Sequence, residues 1–217
     1  MNGIASFSLY GSNPIYTKGA IENAKLMPYI YPGWMIKVYH GVEIDQNVIA
    51  LLNSLGCETQ VMTHHYGHPI TPYDGKLSTF GKFWRFQTIA DTRCKYSVFR
   101  DCDSRINIRE TAAVRAWVES GTILHTMKDH RNQDRFPILA GMWGIINGSV
   151  DIMSLLANWK YDGDWFDDQT FLSQTVWPAT QHSTIRHGRF GVPFPPHAPY
   201  DGFVGQRWTH DNKPLFE

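Results

Sequence analysis

Apolar and polar positions fall into blocks along the first two thirds of the chain, and the blocks switch between strand-like and helix-like periods. Residues 4–10 form a short apolar run closed by Gly11 and predict a strand. Asn13-Pro14 then offers a cap and a first-turn proline, so a helix is predicted from there to about Met27, before Pro28. Residues 35–39 predict a second strand, 45–55 a helix with Gly56 past its end, and 58–63 a third strand. Residues 79–91 predict a helix with Phe80, Phe83, Trp84 and Gln87 on one face and Lys82, Arg85 and Ile89 on another. Residues 96–100 read as a buried strand that ends in Asp101-Cys102-Asp103. A helix over 109–120, with Ala113, Ala116 and Trp117 inward and Gly121 after it, leads to a strand over 123–127.

This alternation predicts an α/β fold, a Rossmann-type, mostly parallel central sheet flanked by helices on both faces. From Asp129 onward the pattern breaks. Residues 138–146 are apolar and punctuated by glycine, 150–159 and 168–176 predict helices, 178–200 read as an ordered irregular loop, and 203–216 predict an edge strand. With no linker, a single domain over 1–217 is expected, with a nucleotide-binding half (1–130) and a second-substrate half (131–217).

Composition narrows the function. The 217 residues are enough for a substantial core. Lys and Arg number 20, as do Asp and Glu, so no overall basic field exists to hold a nucleic acid. No apolar run approaches the roughly 20 residues that span a bilayer, and the first residues lack the basic start and long apolar stretch of a secretory signal. Cys57, Cys94 and Cys102 form no CxxC pair, which argues against a disulfide framework or zinc knuckle and for a reducing, cytoplasmic setting. His64, His65 and His68 sit in a Gly/Pro-rich stretch with no carboxylate or Cys at ligand spacing, and are read as loop. Aromatics reach 14%, with 8 Trp, a surplus that suits a core and also surfaces for flat or sugar-like ligands.

The chemistry-bearing feature is Asp101-Cys102-Asp103. It follows a hydrophobic strand, and α/β sheets bind ligands beyond the carboxyl ends of their strands. Alternate residues at a strand end point the same way, so both carboxylates can face one ion. Mn²⁺ or Mg²⁺ prefers oxygen ligands and commonly joins one or two carboxylates to a diphosphate. The bland alternative is a surface turn with Asp101 paired to Arg100 or Arg105. A haloacid-dehalogenase-type phosphatase would place the same tripeptide on its first strand, with Thr or Val two residues past the second Asp. Here about four strand-like segments come first and Arg105 fills that position, so that reading ranks third.

The wider string is FWRF at 83–86, RDCDSRINIRE at 100–110, MKDH at 127–130, ILAGMWG at 138–144 and DDQTFL at 167–172. It resembles the GT-A-fold glycosyltransferases over essentially the whole chain. It is similar in particular to a group of small glycosyltransferase-like proteins from microbes and large DNA viruses, such as the N-terminal domain of a chlorella-virus capsid glycosyltransferase. The resemblance implies a UDP-sugar donor, Mn²⁺ or Mg²⁺, and transfer of a hexosyl-type sugar to a glycan or protein-linked glycan. For a viral protein it implies an acceptor on a capsid or other glycoprotein in the host cytoplasm, and it allows further domains after residue 217. A non-catalytic nucleotide-sugar or carbohydrate-binding module is the alternative from another class.

Residue roles follow from the same resemblance. Asp103 is expected to hold the ion most directly, with Asp101 sharing it or reaching the ribose. Ser8, Leu9 and Tyr10 form the edge that cradles the nucleoside, Tyr10 either stacking on uracil or capping the core. Arg85 suits the diphosphate, or else a salt bridge with Asp101. Asp129 and His130 reach sugar hydroxyls or orient a loop, and Trp143 in the 141–144 segment packs on a sugar face or is a core residue. Asp168 first and Asp167 second are the candidate catalytic acids, helix capping being the plainer role. His210 is the expected third metal ligand and Lys213 the expected diphosphate contact.

Overall fold

The apolar run at the start of the chain forms β1 (Gly3–Leu9), buried at every position. This computed structural model describes residues 3–65, 68–69, 77–189 and 191–215, with the side chains of 64, 65, 68, 69 and 77–79 outside that description. Asn13 accepts a hydrogen bond from Ile15 N and starts α1 (Pro14–Ile30). β2 (Met35–His40), α2 (Gln46–Ser54) and β3 (Cys57–Val61) follow, and then a short antiparallel pair, β4 (His64–His65) and β5 (His68–Pro69). The backbone thus forms a short strand pair where a loop was expected, and the side chains of His64, His65 and His68 lie outside the described part.

α3 (Leu77–Trp84) continues as a 3₁₀ segment, Arg85–Ala90. β6 (Tyr96–Arg100), α4 (Ile108–Ser120), β7 (Leu124–Lys128) and β8 (Met142–Ile146) come next. The last third holds α5 (Ile152–Asn158), α6 (Asp167–Phe171), a π-helical turn at Leu172–Val176, α7 (Trp177–Thr180) and β9 (Thr184–Gly188).

One seven-stranded sheet runs in the order β3-β2-β1-β6-β8-β7-β9, and only β8 is antiparallel to its neighbours. The expected mostly parallel sheet is therefore present. Two clusters of buried side chains cover its faces. Ala5, Phe7 and Leu9 of β1 pack with α1, α2 and α4, while Phe99 of β6 and Trp143 of β8 pack with Phe83, Phe86 and Phe171. Neighbouring residues of β6, Val98 and Phe99, go to opposite clusters, as the two-residue strand period requires.

Three further expectations are corrected, and one open choice, that of Trp143, is decided. α1 does not stop before Pro28 but runs through it to Ile30. Proline removes one late hydrogen bond, and the helix still closes with Tyr31 N donating to Met27 O at 2.9 Å, both residues being buried. Within the proline-rich stretch, β9 pairs in parallel with β7 from Thr184 to Gly188, where β-branched Thr184 and Ile185 favour a strand. The tail forms no ladder among the described residues. Arg207 bridges to Ser104, Trp208 bridges to Pro214, and Asn212 turns the chain at φ 59°. Trp143 is fully buried and stacked on Phe99, so it is a core residue with no face for a sugar. All three cysteines are free and buried, and no helix among the described residues is long and apolar enough to cross a membrane.

Candidate functional site

A cleft of about 540 Å³ opens beyond the carboxyl ends of β1 and β6. Ser8 and Tyr10 enter it from the end of β1, Arg85 from the 3₁₀ segment, Asp101 and Asp103 from the end of β6, and Asp168 from α6. Because β8 runs antiparallel, residues 139–142 at its start lie beside the end of β6 and close the far wall. The approach is tight there. A Cβ on Gly141 would lie 1.9 Å from Asp101 Oδ2, so only glycine lets that wall come so near the carboxylate.

The Asp-Cys-Asp tripeptide separates its side chains as a strand end should. Cys102 turns inward and donates from Sγ to Ser8 O at 3.2 Å, while the flanking carboxylates both face the cleft. Asp103 accepts from Arg207 Nε at 2.9 Å. Burial, and then repulsion from Asp101, raises the Asp103 carboxyl above its ordinary range. The two negative charges are therefore near neighbours. Asp101 is the more open, with 48% of its side chain exposed against 14% for Asp103.

Arg85 is the hub of the cleft floor. Its backbone is fixed to β1 from both sides, since Ser6 Oγ donates to Arg85 O at 2.8 Å and Arg85 N donates to Ser8 Oγ at 3.1 Å. Its guanidinium is buried. It donates to Arg100 O at 2.9 Å, to Asp101 Oδ1, and to Asp168 Oδ2 at 3.5 Å. The salt-bridge reading of Arg85 thus describes its contacts here, and the same side chain joins the two carboxylate-bearing walls. Asp168 is raised to about 6, mainly by burial, with Arg85 and Lys82 opposing the rise. Such a value suits a group that exchanges a proton near neutral pH.

Several expected site residues lie elsewhere. Leu9 is wholly buried in the core. Asp167 turns away from the cleft and accepts from Trp159 Nε1 at 2.8 Å. Asp129 is held by Arg109 at 2.7 and 2.8 Å and accepts from Val204 N at 3.0 Å. His130 stacks on Phe203 and caps the 3₁₀ turn Arg131–Gln133. The 129–130 pair therefore fastens the C-terminal segment instead of lining the cleft, the loop-orienting side of its expected roles. His210 is exposed and pairs with Asp211, and Lys213 closes a turn with Thr209. Among the described residues no third His, Cys, Asp or Glu joins Asp101 and Asp103 in a group able to hold a metal. Tyr10 lines the cleft, but its ring rests edge-on against Trp84 at 5.8 Å, in space left by Gly81, where a Cβ would lie 2.2 Å from it.

The residues missed in the sequence, Arg207, Arg135, Phe136, Trp165 and Gln169, come from the second half, whereas Lys82 stood beside Arg85 on the predicted helix face. Arg207 is brought to Asp103 by Trp208 N donating to Asp103 O at 2.8 Å, so the tail contributes an arginine where a histidine was expected. Lys82 donates from Nζ to Trp165 O at 2.6 Å, and its ammonium sits 4.6 Å from the Trp165 ring. Arg135, Phe136, Trp165 and Gln169 complete the outer wall. The one sequence signal for them was aromatic residues beside charged ones, in DRF and DWFDD, which is common on any surface.

Neither a family model nor a curated protein matches this sequence. The fold does match solved structures. It is similar to glucosyl-3-phosphoglycerate synthase from Mycobacterium tuberculosis in complex with Mn²⁺ and UDP-glucose, with a TM-score of 0.51, 12% identity, and 90% of this chain and 72% of that chain covered. The complex of the same enzyme with UDP matches with a TM-score of 0.50 and 12% identity over 90% of this chain and 73% of that one. At such identity the likeness is one of fold, and that fold is the GT-A type expected from the motifs.

Proposed function

We propose that the protein is a metal-dependent glycosyltransferase that moves a hexosyl-type sugar from a UDP-sugar to a hydroxyl of a glycan or protein-linked glycan. The observation that carries this is the convergence of Asp101, Asp103, Arg85 and Asp168 in one cleft at the strand ends of a GT-A-type sheet. A solved structure of similar fold, glucosyl-3-phosphoglycerate synthase, is seen with Mn²⁺ and UDP-glucose, which supports the same donor class here. The acceptor on a capsid or other glycoprotein and the host-cytoplasmic setting come from the sequence resemblance and belong to the same proposal.

The donor set fits a hard divalent ion. Asp101 and Asp103 offer only oxygen, both face the cleft, and their mutual repulsion marks a place where positive charge is favoured. Those two carboxylates would hold Mn²⁺ or Mg²⁺, which when bound offsets the charge of the diphosphate and of the leaving nucleotide. Ser8 and Tyr10 border the nucleoside end of the cleft. Arg207 and Arg85 keep the two carboxylates aimed inward. Asp168 sits on the opposite wall, its Oδ2 3.5 Å from Arg85 and its Oδ1 accepting from Gln169 N at 2.9 Å, and takes the acceptor proton as the acceptor oxygen bonds to the anomeric carbon and the carbon–phosphate-oxygen bond breaks. Should the reaction retain configuration, the same carboxylate instead faces the positive charge that develops on the sugar.

A ligand that binds only the folded protein raises its unfolding temperature. UDP-sugars with Mn²⁺ are expected to do so, and chelation is expected to remove the effect. Slow Mn²⁺-dependent release of UDP from the preferred donor distinguishes a transferase from a module that only binds it. Equal stability with every nucleotide sugar, with and without Mn²⁺, would overturn the assignment. Release of phosphate from an aryl phosphate would revive the phosphatase reading.

A further inference from the structure

We propose that the acceptor carries an anionic group, a phosphate or a carboxylate, that is received by Arg135 while its body lies against Trp165. This rests on the transferase reading and names the substrate class of its second subsite.

Charge in the cleft is unequally satisfied. Asp101 and Asp103 each have an arginine, Arg85 and Arg207, and Arg85 also approaches Asp168. Lys82 is held by the main-chain oxygen of Trp165. Arg135 is different. Among the described residues its contacts are rings alone. Its guanidinium lies 4.1 Å from the Phe166 ring centroid and 5.2 Å from that of Phe136, and these two rings are 5.6 Å apart. Stacking occupies the faces of a guanidinium and leaves its in-plane N–H donors open, the arrangement that takes a carboxylate or phosphate edge-on. A long side chain already held against rings also loses less freedom on binding.

The overall count agrees. Four cationic side chains line the cleft, Lys82, Arg85, Arg135 and Arg207, against three carboxylates, Asp101, Asp103 and Asp168. A divalent ion and a doubly charged diphosphate cancel one another. The loaded cleft therefore keeps one positive charge; Lys82 is spent on main-chain oxygens, and Arg135 is the cation with neither a hydrogen-bonded nor an ionic partner among the described residues. It lies on the outer wall beside Trp165, which at 69% exposure is an uncommonly open tryptophan next to a pocket. Lys82 fixes the backbone and ring of Trp165 from below, so the indole is a positioned surface. An apolar ring face for the acceptor's body and a fork for its anion thus line the cleft that holds Asp101 and Asp103, Arg135 being stacked on Phe166, the chain neighbour of Trp165.

The test is a calorimetric titration of the whole protein, first alone and then loaded with UDP and Mn²⁺, with four probes: inorganic phosphate, a hexose 6-phosphate, a hexuronic acid and a neutral methyl hexoside. The hexose phosphate or the uronic acid is expected to bind at least tenfold more tightly than the methyl hexoside, and the stronger of the two identifies the anion. Arg135→Ala should weaken the anionic probes at least tenfold and leave the affinity for UDP with Mn²⁺ within about twofold, with Arg135→Lys partly restoring it. Trp165→Ala should weaken the ring-bearing probes and spare inorganic phosphate. Equal binding of charged and neutral probes would overturn the proposal. So would an Arg135→Ala protein that loses UDP with Mn²⁺ as severely as it loses phosphate, since Arg135 would then serve the donor. Failure of the wild type to bind UDP with Mn²⁺ at all would instead overturn the transferase reading, and the titration of the unloaded protein would still decide the role of Arg135.

Discussion

Two pairs of aspartates stand at the two walls of the cleft, and they are built differently. Asp101 and Asp103 are separated by one residue at a strand end, and both reach the cleft because Cys102 alone turns inward to β1. Asp167 and Asp168 are adjacent at a helix start, and they diverge: Asp168 faces Arg85, and Asp167 faces Trp159 behind the wall. A spacing of two keeps two carboxylates together at the end of a strand, whereas neighbours on a helix are rotated by about 100° and must part. The first pair is fit to share one cation. The second can offer only one charge to a substrate, and its other member belongs to the scaffold.

The largest expected effect breaks the first pair. Asp103→Ala should reduce transfer below detection and abolish the Mn²⁺ dependence of UDP-sugar binding, while the cooperative unfolding transition persists. Initial rates with titrated Mn²⁺ and a thermal melt read the two halves of this statement. A variant that keeps Mn²⁺-dependent donor binding would show that the pair does not act together.

Next comes the second pair. Asp168→Asn should lower kcat by about 10²–10⁴ with donor affinity nearly unchanged, the usual range for losing a general base. In the wild type kcat/KM should rise with pH and level off above about 6, where Asp168 becomes charged, and the variant should lack that limb. Stability should move the other way. The folded carboxyl is raised from 3.8 to about 6, so the folded state binds more protons than the unfolded state between those values. Stability therefore falls as pH rises through that window, by about 1.4 kcal/mol per pH unit, and Asp168→Asn should recover part of the loss at pH 7 but not at pH 4. Chemical denaturation at the two pH values checks the sign. An unchanged difference between wild type and variant across the window would contradict it.

The same contrast shows why some of the molecule was legible in the sequence. The strands β1, β2, β3, β6 and β7 and the helices between them follow local signals: an apolar run, an Asn-Pro cap at 13–14, a glycine at 56 or 121 in the left-handed region. The strand-end aspartates could be read for the same reason, because strand direction fixes where both point. Asp167 and Asp168 could not be ranked by contact, since the choice depends on Trp159 and Arg85, which lie on other segments. Arg207 was missed because its partner Asp103 is distant in sequence, and Arg135 because Phe166, which completes its pair of rings, lies on another segment; the tail pointed to His210 and Lys213 instead. The 8 tryptophans divide in the same way. Trp84, Trp117 and Trp143 are wholly buried, and Trp165 alone is the strongly exposed one at the cleft.

The smallest effect on activity should come from Asp167. Asp167→Ala leaves Asp168, Arg85 and the strand-end pair in place, so transfer is expected to stay within about threefold of wild type. Stability is the sensitive readout. The Asp167 carboxylate accepts the Trp159 indole N–H at 2.8 Å, and Trp159 packs edge-on against Phe171 in the cluster under the cleft. Removing the acceptor leaves a poorly solvated donor without a partner, which costs about 1–3 kcal/mol. Burial raises the Asp167 carboxyl, so part of the cost is returned when a buried charge is deleted, and the net loss should lie at the lower end of that range at pH 7. The double variant Asp167→Ala/Trp159→Phe removes donor and acceptor together. It should be more stable than the sum of the single changes implies, because no orphaned polar group remains. Simple additivity in denaturant titrations would show that the hydrogen bond does not hold this aspartate away from the cleft, and the contrast between the two pairs would then rest on backbone geometry alone.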